Sequence, residues 1–329
     1  MYDIITFGSA AQDINVKSKD FKVLKGQEDF ITGEGICLNL GSKIDVEDIF
    51  MTIGGSGVNT ASTFAKQGFK TAICCAIGVD MSGLEIVRDL KNSRIDTRFV
   101  VKKKEARTTT SVIISMPNTD RTILISIGAS GLFGEKDIQW KKIKGSRWFY
   151  LAPLKDSFCD CFEKLVDFAK ENNIKVACNP SKQQLSLPEE KLKNILSKVD
   201  ILFLNQEEAS FVTKIPFIEE QNIFKKIGQL GAGVAVMTKG GDGVVASDGK
   251  YLYSAKVNPN RKIVDTTGAG DSFSSGFLSD YIRNNGDIEK AIQLGLANSE
   301  ANLSEIGAKS GLLEKNSKFE RAKVLKQNL

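Results

Sequence analysis

The sequence predicts an α/β fold in which helices flank a central, mainly parallel β-sheet. Short β-rich apolar runs alternate with helix-periodic stretches along most of the 329 residues, which is the pattern of consecutive β-α-β units. The hydrophobic content of 41% and the charged content of 26% are those of a globular protein with a sizeable core. Two segments interrupt the alternation with short strand-like runs and polar loops, so we expect a small antiparallel sheet beside the core.

The core elements follow from these patterns in chain order. The predicted strands are Ile4–Phe7, Thr71–Ile77, Trp148–Leu151, Val176–Cys178, Ile201–Leu204 and Val234–Thr238. The predicted helices are Thr60–Gln67, Gly83–Lys91, Phe158–Asn172, Glu189–Lys198, Ile223–Leu230, 271–284 and 287–303. The α/β core is therefore expected at 1–13, 53–96 and 128–313, and the Lys-rich tail at 314–329 is expected to be helical or frayed.

The two interrupting segments, 14–52 and 97–127, are expected to form the small antiparallel sheet. Their strand-like runs are Ile14–Val16, Ile36–Leu40, Asp48–Thr52, Arg98–Val101, Thr109–Met116 and Arg121–Ser126. Residues 117–120 (PNTD) have the composition of a hairpin turn. A sheet outside the core usually serves as a lid or an interface, so we expect it to cover a ligand and to offer an edge for dimerisation.

Composition excludes several classes of chemistry. The chain contains no histidine, so Ser-His-Asp hydrolysis, histidine-ligated metal sites and phosphohistidine chemistry are excluded. The six cysteines lack metal-ligand spacing, a pattern typical of free thiols in a cytoplasmic protein. No apolar run reaches the roughly 18 residues of a membrane span. The net charge of +5 comes from scattered lysines, so neither a membrane nor a nucleic acid is expected as a partner.

The run Asp265–Phe273 (DTTGAGDSF) is the most informative motif. It follows a strand-like run at 261–264 and leads into an apolar helical pattern. Two glycines before a helix leave backbone N–H groups unpaired at the positive end of the helix dipole, which makes an anion site. Asp271 adds a carboxylate to the same turn. A carboxylate beside a phosphate site indicates phosphoryl transfer to a hydroxyl group.

Two further segments are suited to the acceptor side of such a reaction. Residues 54–61 (GGSGVNTA) allow close approach to the backbone, and Ser56 and Asn59 offer polar groups to sugar hydroxyls. An ordinary glycine-rich turn explains the same run. Asp13 follows the first strand, where ligands of open α/β sheets bind, although a solvated turn aspartate is the slightly favoured interpretation of this residue alone.

Two other segments are suited to a nucleotide. Asn205 and Glu208 follow the Ile201–Leu204 strand, and the carboxylate is suited to holding the waters of Mg²⁺. The same spacing predicts a capping box, with Asn205 at the N-cap and Glu208 at N3. Residues 238–243 (TKGGDG) are suited to nucleotide phosphates or to a plain hairpin.

Taken together and in this order, the motifs 54–61, 205–208, 238–243 and 265–271 resemble the ribokinase-like PfkB family of carbohydrate and nucleoside kinases. The resemblance runs over nearly the whole chain, so 1–313 is expected to form one kinase domain. It implies ATP and Mg²⁺ as cofactors and a β-sheet lid over the sugar. Ribokinases usually carry lysine where Ser56 stands, so the resemblance leaves the acceptor open.

The resemblance also assigns roles to individual residues. Asp271 is expected to be the catalytic base. The anion-hole N–H groups are expected from Gly268, Ala269 and Gly270. The nucleotide side is expected at Asn205, Glu208, Thr238, Gly240, Gly243, Thr267 and Asn298. The acceptor side is expected at Asp13, Gly55, Ser56 and Asn59. Glu208 is expected to hold Mg²⁺ through water, and Asp265 and Thr267 to lie at a K⁺ site that the 307–308 region completes.

These expectations combine into ATP-dependent phosphorylation of a primary hydroxyl on a small sugar. An adenosine or other nucleoside kinase of the same family is the alternative, with Phe21, Phe30, Phe50 and Phe133 as candidates to stack on a base. A regulator that has lost catalysis is a further alternative, against which the intact Asp271 argues. A homodimer through the lid is expected.

Overall fold

The structure is a computed structural model that describes residues 1–19, 21–26, 34–116 and 121–329. The turn predicted at 117–120 and the candidate Phe30 lie outside the described residues. The strands are β1 (Ile4–Phe7), β2 (Ala11–Lys17), β3 (Lys22–Lys25), β4 (Glu34–Cys37), β5 (Asp48–Gly54), β6 (Thr71–Gly78), β7 (Val100–Lys103), β8 (Thr109–Ser115), β9 (Thr122–Ser126), β10 (Trp148–Leu151), β11 (Lys175–Cys178), β12 (Ile201–Asn205), β13 (Val234–Thr238), β14 (Val244–Ser247), β15 (Tyr251–Ala255) and β16 (Val324–Asn328).

The helices that accompany them are amphipathic and vary from one turn to four. They are α1 (Ser56–Lys66), α2 (Met81–Asn92), α3 (Trp140–Ile143), α4 (Phe162–Glu171), α5 (Lys182–Leu185), α6 (Glu189–Leu196), α7 (Gln206–Thr213), α8 (Glu220–Leu230), α9 (Ala269–Arg283) and α10 (Ile288–Leu303). None of these helices, all in the described part of the chain, is long and apolar enough to cross a membrane.

A ten-stranded sheet forms the centre of the protein, in the order β16-β15-β14-β13-β12-β11-β10-β1-β6-β7. Pairing is parallel from β13 through to β7 and antiparallel from β13 to β16. The prediction of a mainly parallel sheet between helices is therefore confirmed. Buried apolar clusters lie on both faces of the sheet, because most positions of its parallel strands are apolar.

Several elements of the structure differ from those predicted. The Lys-rich tail contains β16, which pairs with the edge strand β15 instead of forming a helix. The run 261–264 forms no strand, and Val264 N–H donates to the carbonyl of Leu303 at the end of α10. The strands β14 and β15 were not predicted. For β16 and Val264 the partner lies far along the chain, so the local pattern does not report it. The strands β14 and β15 pair with their immediate chain neighbours, and the prediction missed them as two consecutive hairpins.

The lid is a second sheet of four strands in the order β5-β2-β8-β9. Two of its three pairings are antiparallel, as predicted, and β2 and β8 are parallel neighbours. The run predicted at Arg98–Val101 belongs to β7, which extends the main sheet beside β6 and not the lid. The strands β3 and β4 form a separate two-stranded ribbon. Since β2 begins only four residues after β1 ends, the lid is attached directly above the carboxyl end of the main sheet.

The position of α9 depends on close packing against α10. Two glycines allow it: a Cβ on Gly295 would lie 2.9 Å from the ring of Phe273, and one on Gly276 would lie 3.0 Å from Cβ of Asn298. Real Cβ atoms rarely approach so closely. The close contact holds the N-terminus of α9 at the carboxyl end of the main sheet, below the lid.

Candidate active site

Two cavities adjoin the N-terminus of α9. The first, of about 330 Å³, lies under the lid and is called the lid cavity; its lining includes Asp13, Gly55, Ser56, Asn59, Ser111, Thr267, Gly268 and Asp271. The second, of about 300 Å³, adjoins the β13–β14 turn and is called the hairpin cavity; its lining includes Thr238, Gly240, Gly243, Thr266, Ala269 and Gly270. The turn 265–270 lines both cavities, so it separates two chambers that share one wall.

Asp271 lies in the first turn of α9 and lines the lid cavity. Its Oδ2 accepts a hydrogen bond of 2.9 Å from Nδ2 of Asn59. Burial raises the pKa of this carboxyl from 3.8 to about 6, although hydrogen bonds from Asn59 and Ser56 favour the ionised form. Asp271 is therefore ionised at neutral pH but is a considerably stronger base than an exposed aspartate.

Asn59 holds Asp271 from the neighbouring helix α1. Its side chain is only 5% exposed, and its Oδ1 is a buried oxygen without a hydrogen-bond partner among the described residues. Gly55, at φ 94°, forms the entry to α1; a Cβ there would lie 2.7 Å from the carbonyl oxygen of Ser9. The helix begins at Ser56, earlier than predicted, and this brings Asn59 to the cavity wall.

Asp13 is not a solvated turn residue. It lies on β2 opposite Ser111 of β8, and its side chain is 5% exposed. Burial raises the pKa of this carboxyl, a hydrogen bond from Ser111 lowers it, and the charge of Asp265 raises it further. Its Oδ2 occupies the space that a side chain on Gly54 would need. Two carboxylates, Asp13 and Asp271, thus line the same cavity, with hydrogen-bonding capacity for hydroxyl groups.

The turn 265–270 has the geometry that its glycines predict. Gly268 precedes α9 at φ 77°, and a Cβ there would lie 2.8 Å from the Cα of Ala308. The first N–H groups of a helix have no partner within it, so those of Gly270 and Asp271 lie at the positive end of the α9 dipole. This arrangement is suited to an anion that bridges the two cavities.

Asp265 joins this turn to the loop that follows α10. Its Oδ1 accepts from Thr267 N–H and its Oδ2 from Gly307 N–H, both at 2.9 Å. Nearby, Nδ2 of Asn302 donates to the carbonyl of Gly307. Oγ1 of Thr267 and Oδ1 of Asn302 are buried and have no hydrogen-bond partner among the described residues. Unpartnered oxygens beside a carboxylate are a donor set suited to a hard cation.

Asn205 and Glu208 form the capping box that their spacing predicts. Oδ1 of Asn205 accepts from Glu208 N–H at 2.8 Å, and Oε2 of Glu208 accepts from Asn205 N–H at 2.9 Å. Burial raises the pKa of Glu208 despite this hydrogen bond. Neither residue is among those that line the two cavities. The charges of Asp271 and Glu208 nevertheless both add to burial in raising the pKa of Tyr150, so both carboxylates lie near that one hydroxyl.

The hairpin cavity is built on the β13–β14 connection. Thr238 ends β13, and Gly240 and Gly243 take φ values of 53° and 97°. A Cβ on Gly243 would lie 2.9 Å from the Cα of Lys256. The connection therefore has both features that its sequence predicts: it joins antiparallel strands as a hairpin, and it lines a cavity.

Asn298 lies away from both cavities, contrary to the role expected for it. Its side chain is fully buried, and Nδ2 donates to the carbonyl of Ser272 at 2.7 Å while Oδ1 accepts from Leu313 N–H at 2.9 Å. These bonds connect α9, α10 and the segment after them. All of its hydrogen-bonding groups are used within the protein, so it supports the position of α9 and does not face a ligand.

Sequence reasoning missed a large part of both linings. The lid cavity also contains Ser9, Thr109, Ile113, Arg121, Ile123, Ile125, Ser130, Lys155 and Phe158, and the hairpin cavity contains Arg261, Ser299 and Glu300. Ile123 and Ile125 alternate along β9, a period-2 signal that predicts one shared face. Of the proposed stacking residues, Phe133 is fully buried against Phe158 in the main core. Neither Phe21 nor Phe50 is among the residues of the lid cavity.

Comparison with known proteins agrees with this architecture. The chain matches the pfkB family carbohydrate kinases over residues 29–316. A ribokinase of Lactococcus lactis is 27% identical over 307 residues, which cover 92% of this chain and 96% of that protein. A nucleoside kinase of Methanothermobacter thermautotrophicus is 27% identical over 232 residues, 70% of this chain and 72% of that protein.

A solved structure shares the fold. The ribokinase of Arabidopsis thaliana complexed with ribose and ATP superimposes with a TM-score of 0.78 at 20% identity, covering 95% of this chain and 96% of that chain. The family match spans most of the sequence, including all four glycine- or carboxylate-containing motifs. The chain therefore belongs to the pfkB family of carbohydrate kinases and is an ATP-dependent phosphotransferase that acts on a hydroxyl group.

Proposed function

We propose that this kinase transfers the γ-phosphoryl group of ATP to a primary hydroxyl of a small sugar, with Asp271 as the base. One observation carries the proposal: a carboxylate with a pKa raised to about 6 lies at the N-terminus of α9, where the two cavities meet. The sugar occupies the lid cavity, and the nucleotide occupies the hairpin cavity. The reacting groups then meet at the turn 265–270.

The reaction follows from these positions. The acceptor oxygen forms a bond to the γ-phosphorus, and the bond from that phosphorus to the β,γ-bridging oxygen breaks, so that ADP leaves with the electron pair. The acceptor proton passes to Asp271. The transition state of phosphoryl transfer is loose, so the proton moves late and charge stabilisation matters most. Gly268 and Gly270 supply this stabilisation through backbone N–H groups at the positive end of α9. The N–H of Ala269, which was expected to contribute, donates to the carbonyl of Thr266.

The acceptor is held by side chains of the lid cavity. Asp13, which is buried on β2 opposite Ser111 of β8, accepts hydrogen bonds from sugar hydroxyls. Oδ1 of Asn59, which has no partner among the described residues, accepts from a further hydroxyl. Gly55 and Ser56 form the floor at the start of α1, where a larger residue would overlap Ser9.

Glu208 is the proposed Mg²⁺ residue. One of its carboxylate oxygens is engaged in the capping box, which holds the side chain in position and leaves the other oxygen for water ligands of the ion. Such an indirect contact fits Mg²⁺, which keeps several waters when it is bound to nucleotide phosphates. The ion supplies positive charge to the phosphate oxygens when it is bound.

A K⁺ site is proposed at Asp265 and Thr267, beside the anion-binding turn. The support is the group of buried oxygens described above, in particular Oγ1 of Thr267 and Oδ1 of Asn302. Asp265 links the turn to the loop around Gly307, so a cation there would tie both segments together. Its charge would add to the positive field of the α9 N-terminus.

A nucleoside acceptor remains the second candidate function. The observation that favours it is the apolar wall formed by Ile113, Ile123 and Ile125 on the lid face of the cavity. A free sugar has little apolar surface to place against this wall, whereas a nucleobase has two flat faces.

The same strand also exposes Leu124, 56% accessible, on its other side. This exposed surface supports the proposed homodimer through the lid, which a monomeric mass in solution would contradict.

The deciding experiment is an acceptor panel. ADP release is measured with Mg-ATP and a series of pentoses, hexoses and nucleosides, and the best acceptor by kcat/KM defines the class. Asp271→Ala should then lower kcat on that acceptor at least about 10²-fold, the low end for a general base. Turnover near the wild-type rate in Asp271→Ala would refute its role as the base, and preference for adenosine over every free sugar would overturn the sugar assignment.

A further inference from the structure

Arg121 connects the lid to the turn that separates the two cavities. It immediately precedes β9, which pairs with β8 from Thr122 onward. Its Nη1 donates a hydrogen bond to Oγ1 of Thr266. Arg121 lines the lid cavity together with Asp271, while Thr266 lines the hairpin cavity. The guanidinium therefore lies where the acceptor chamber meets the nucleotide chamber.

The charged residues that line the lid cavity indicate a role for Arg121 at this position. Among its described lining residues, two are anionic, Asp13 and Asp271, and two are cationic, Arg121 and Lys155. A phosphoryl group that moves from the hairpin cavity toward Asp271 carries negative charge into a region that already holds two carboxylates. Positive charge is needed at the junction, and of these two cations Arg121 is the one hydrogen-bonded to the turn 265–270.

The chemistry of the guanidinium suits a phosphoryl group better than an acceptor hydroxyl. It presents several N–H donors in a planar fork that matches two phosphate oxygens at once. The hydrogen bond to the hydroxyl of Thr266 orients the guanidinium toward the turn 265–270.

We propose that Arg121 is a catalytic residue whose guanidinium binds non-bridging oxygens of the phosphoryl group during transfer. The proposal rests on the proposed function, because it requires ATP in the hairpin cavity and an acceptor under the lid. The residue stabilises charge that develops in the transition state, and its contribution to binding of the acceptor is small. Thr266 is its positioning residue.

The test uses Arg121→Gln and Arg121→Lys in the full-length protein. Arg121→Gln should lower kcat at least about 10²-fold, the usual cost of one lost donor to transition-state charge, with little change in the KM of the acceptor. Arg121→Lys keeps the positive charge but loses the planar set of N–H donors, so its kcat should lie between that of wild type and that of Arg121→Gln. Lys104→Gln is the matched control, because it removes one exposed positive charge from the same insertion outside both cavities.

A binding measurement separates this role from a structural one. ADP with Mg²⁺ and aluminium fluoride mimics the planar phosphoryl group, and its affinity is measured by calorimetry beside that of Mg-ADP alone. Arg121→Gln should lose affinity for the fluoride complex by at least about tenfold and keep its affinity for Mg-ADP. Equal affinity of wild type and Arg121→Gln for the fluoride complex would overturn the proposal.

The remaining outcomes of these experiments test the inference and the proposed function separately. A higher acceptor KM with unchanged kcat in Arg121→Gln would overturn the proposal and assign the guanidinium to an anionic group on the acceptor. Failure of the wild-type protein to bind Mg-ADP or to phosphorylate any acceptor would overturn the proposed function and this inference together. Wild-type transfer with unaffected Arg121 variants would overturn this inference alone.

Discussion

Replacing Asp271 by asparagine should stabilise the folded protein while it removes activity. The carboxylate is held in a buried place by Asn59, and burial raises its pKa from 3.8 to about 6. Asparagine has the same shape and carries no charge. Its amide would also donate to Oδ1 of Asn59, an oxygen without a partner among the described residues. The substitution thus removes a desolvated charge and satisfies a buried acceptor.

The magnitude follows from linkage between proton binding and folding. The pKa of Asp271 is higher in the folded state than in the unfolded state, so the folded state binds the proton more tightly. The free energy of unfolding of the wild-type protein therefore decreases as pH rises from about 3.8 to about 6 and is constant above that window. A difference of about two pKa units corresponds to about 3 kcal/mol, at 1.36 kcal/mol per unit. Asp271→Asn should recover about this amount at pH 8 and only about 0.6 kcal/mol at pH 4.

The assay is denaturant unfolding of wild type and Asp271→Asn at matched ionic strength between pH 4 and pH 8. The stability difference should grow by about 2 kcal/mol across the range, because the wild-type curve alone contains this titration. The kcat of the variant should fall at least about 10²-fold. A stability difference that does not vary with pH would refute the reasoning, since it would show that Asp271 carries no desolvation cost in the folded state.

Three further predictions test other parts of the site. The kcat/KM of the wild-type enzyme should fall about tenfold per pH unit below about pH 6 and be constant from there to pH 8. Asn59→Asp places a like charge beside Asp271, so the decrease in kcat/KM should begin at a higher pH. A decrease that begins at the same pH in both proteins would contradict the contact between residues 59 and 271. Gly243→Ala should destabilise the protein by at least about 1 kcal/mol and raise the KM for ATP, because φ 97° and the proximity of Lys256 exclude a side chain; Gly134→Ala, where a Cβ meets nothing within 4 Å, is the control, and equal effects of the two substitutions would contradict this assignment. Replacing K⁺ by a larger organic cation at equal ionic strength should lower the kcat of wild type several-fold and leave the kcat of Asp265→Asn unchanged. An unaltered wild-type kcat would argue against the cation site.

The sequence predicted the parts of the fold that rest on local patterns. The strands β1, β10 and β13 were predicted with their observed bounds, because each is an apolar run flanked by polar turns. The start of α9 was predicted within two residues from the glycines at 268 and 270. The capping box of Asn205 and Glu208 was also predicted, since it depends on a spacing of three residues.

The candidate site was predictable to the same extent. Gly55, Ser56 and Asn59 of the first motif and residues 266–271 of the last motif line the cavities, because their glycines specify tight turns before helices. Asn298 was placed incorrectly, since nothing in its neighbourhood in the sequence shows that its amide is used by Ser272 and Leu313. Arg121 was not identified, because Thr266, its hydrogen-bond partner, is 145 residues away.

By itself the sequence determined that this protein is an α/β kinase with a glycine-rich turn before a helix, a carboxylate beside that turn and a small sheet beside the core. Tertiary structure alone decided that β16 completes the sheet, that β2 and β8 run parallel in the lid, and that Asp13 is buried. It also decided the strength of the base: Asn59 contacts Asp271 across 212 residues, and desolvation there raises the pKa to about 6. Propensity and turn chemistry act between near neighbours in the chain, whereas strand pairing and desolvation depend on segments that meet only when the chain folds.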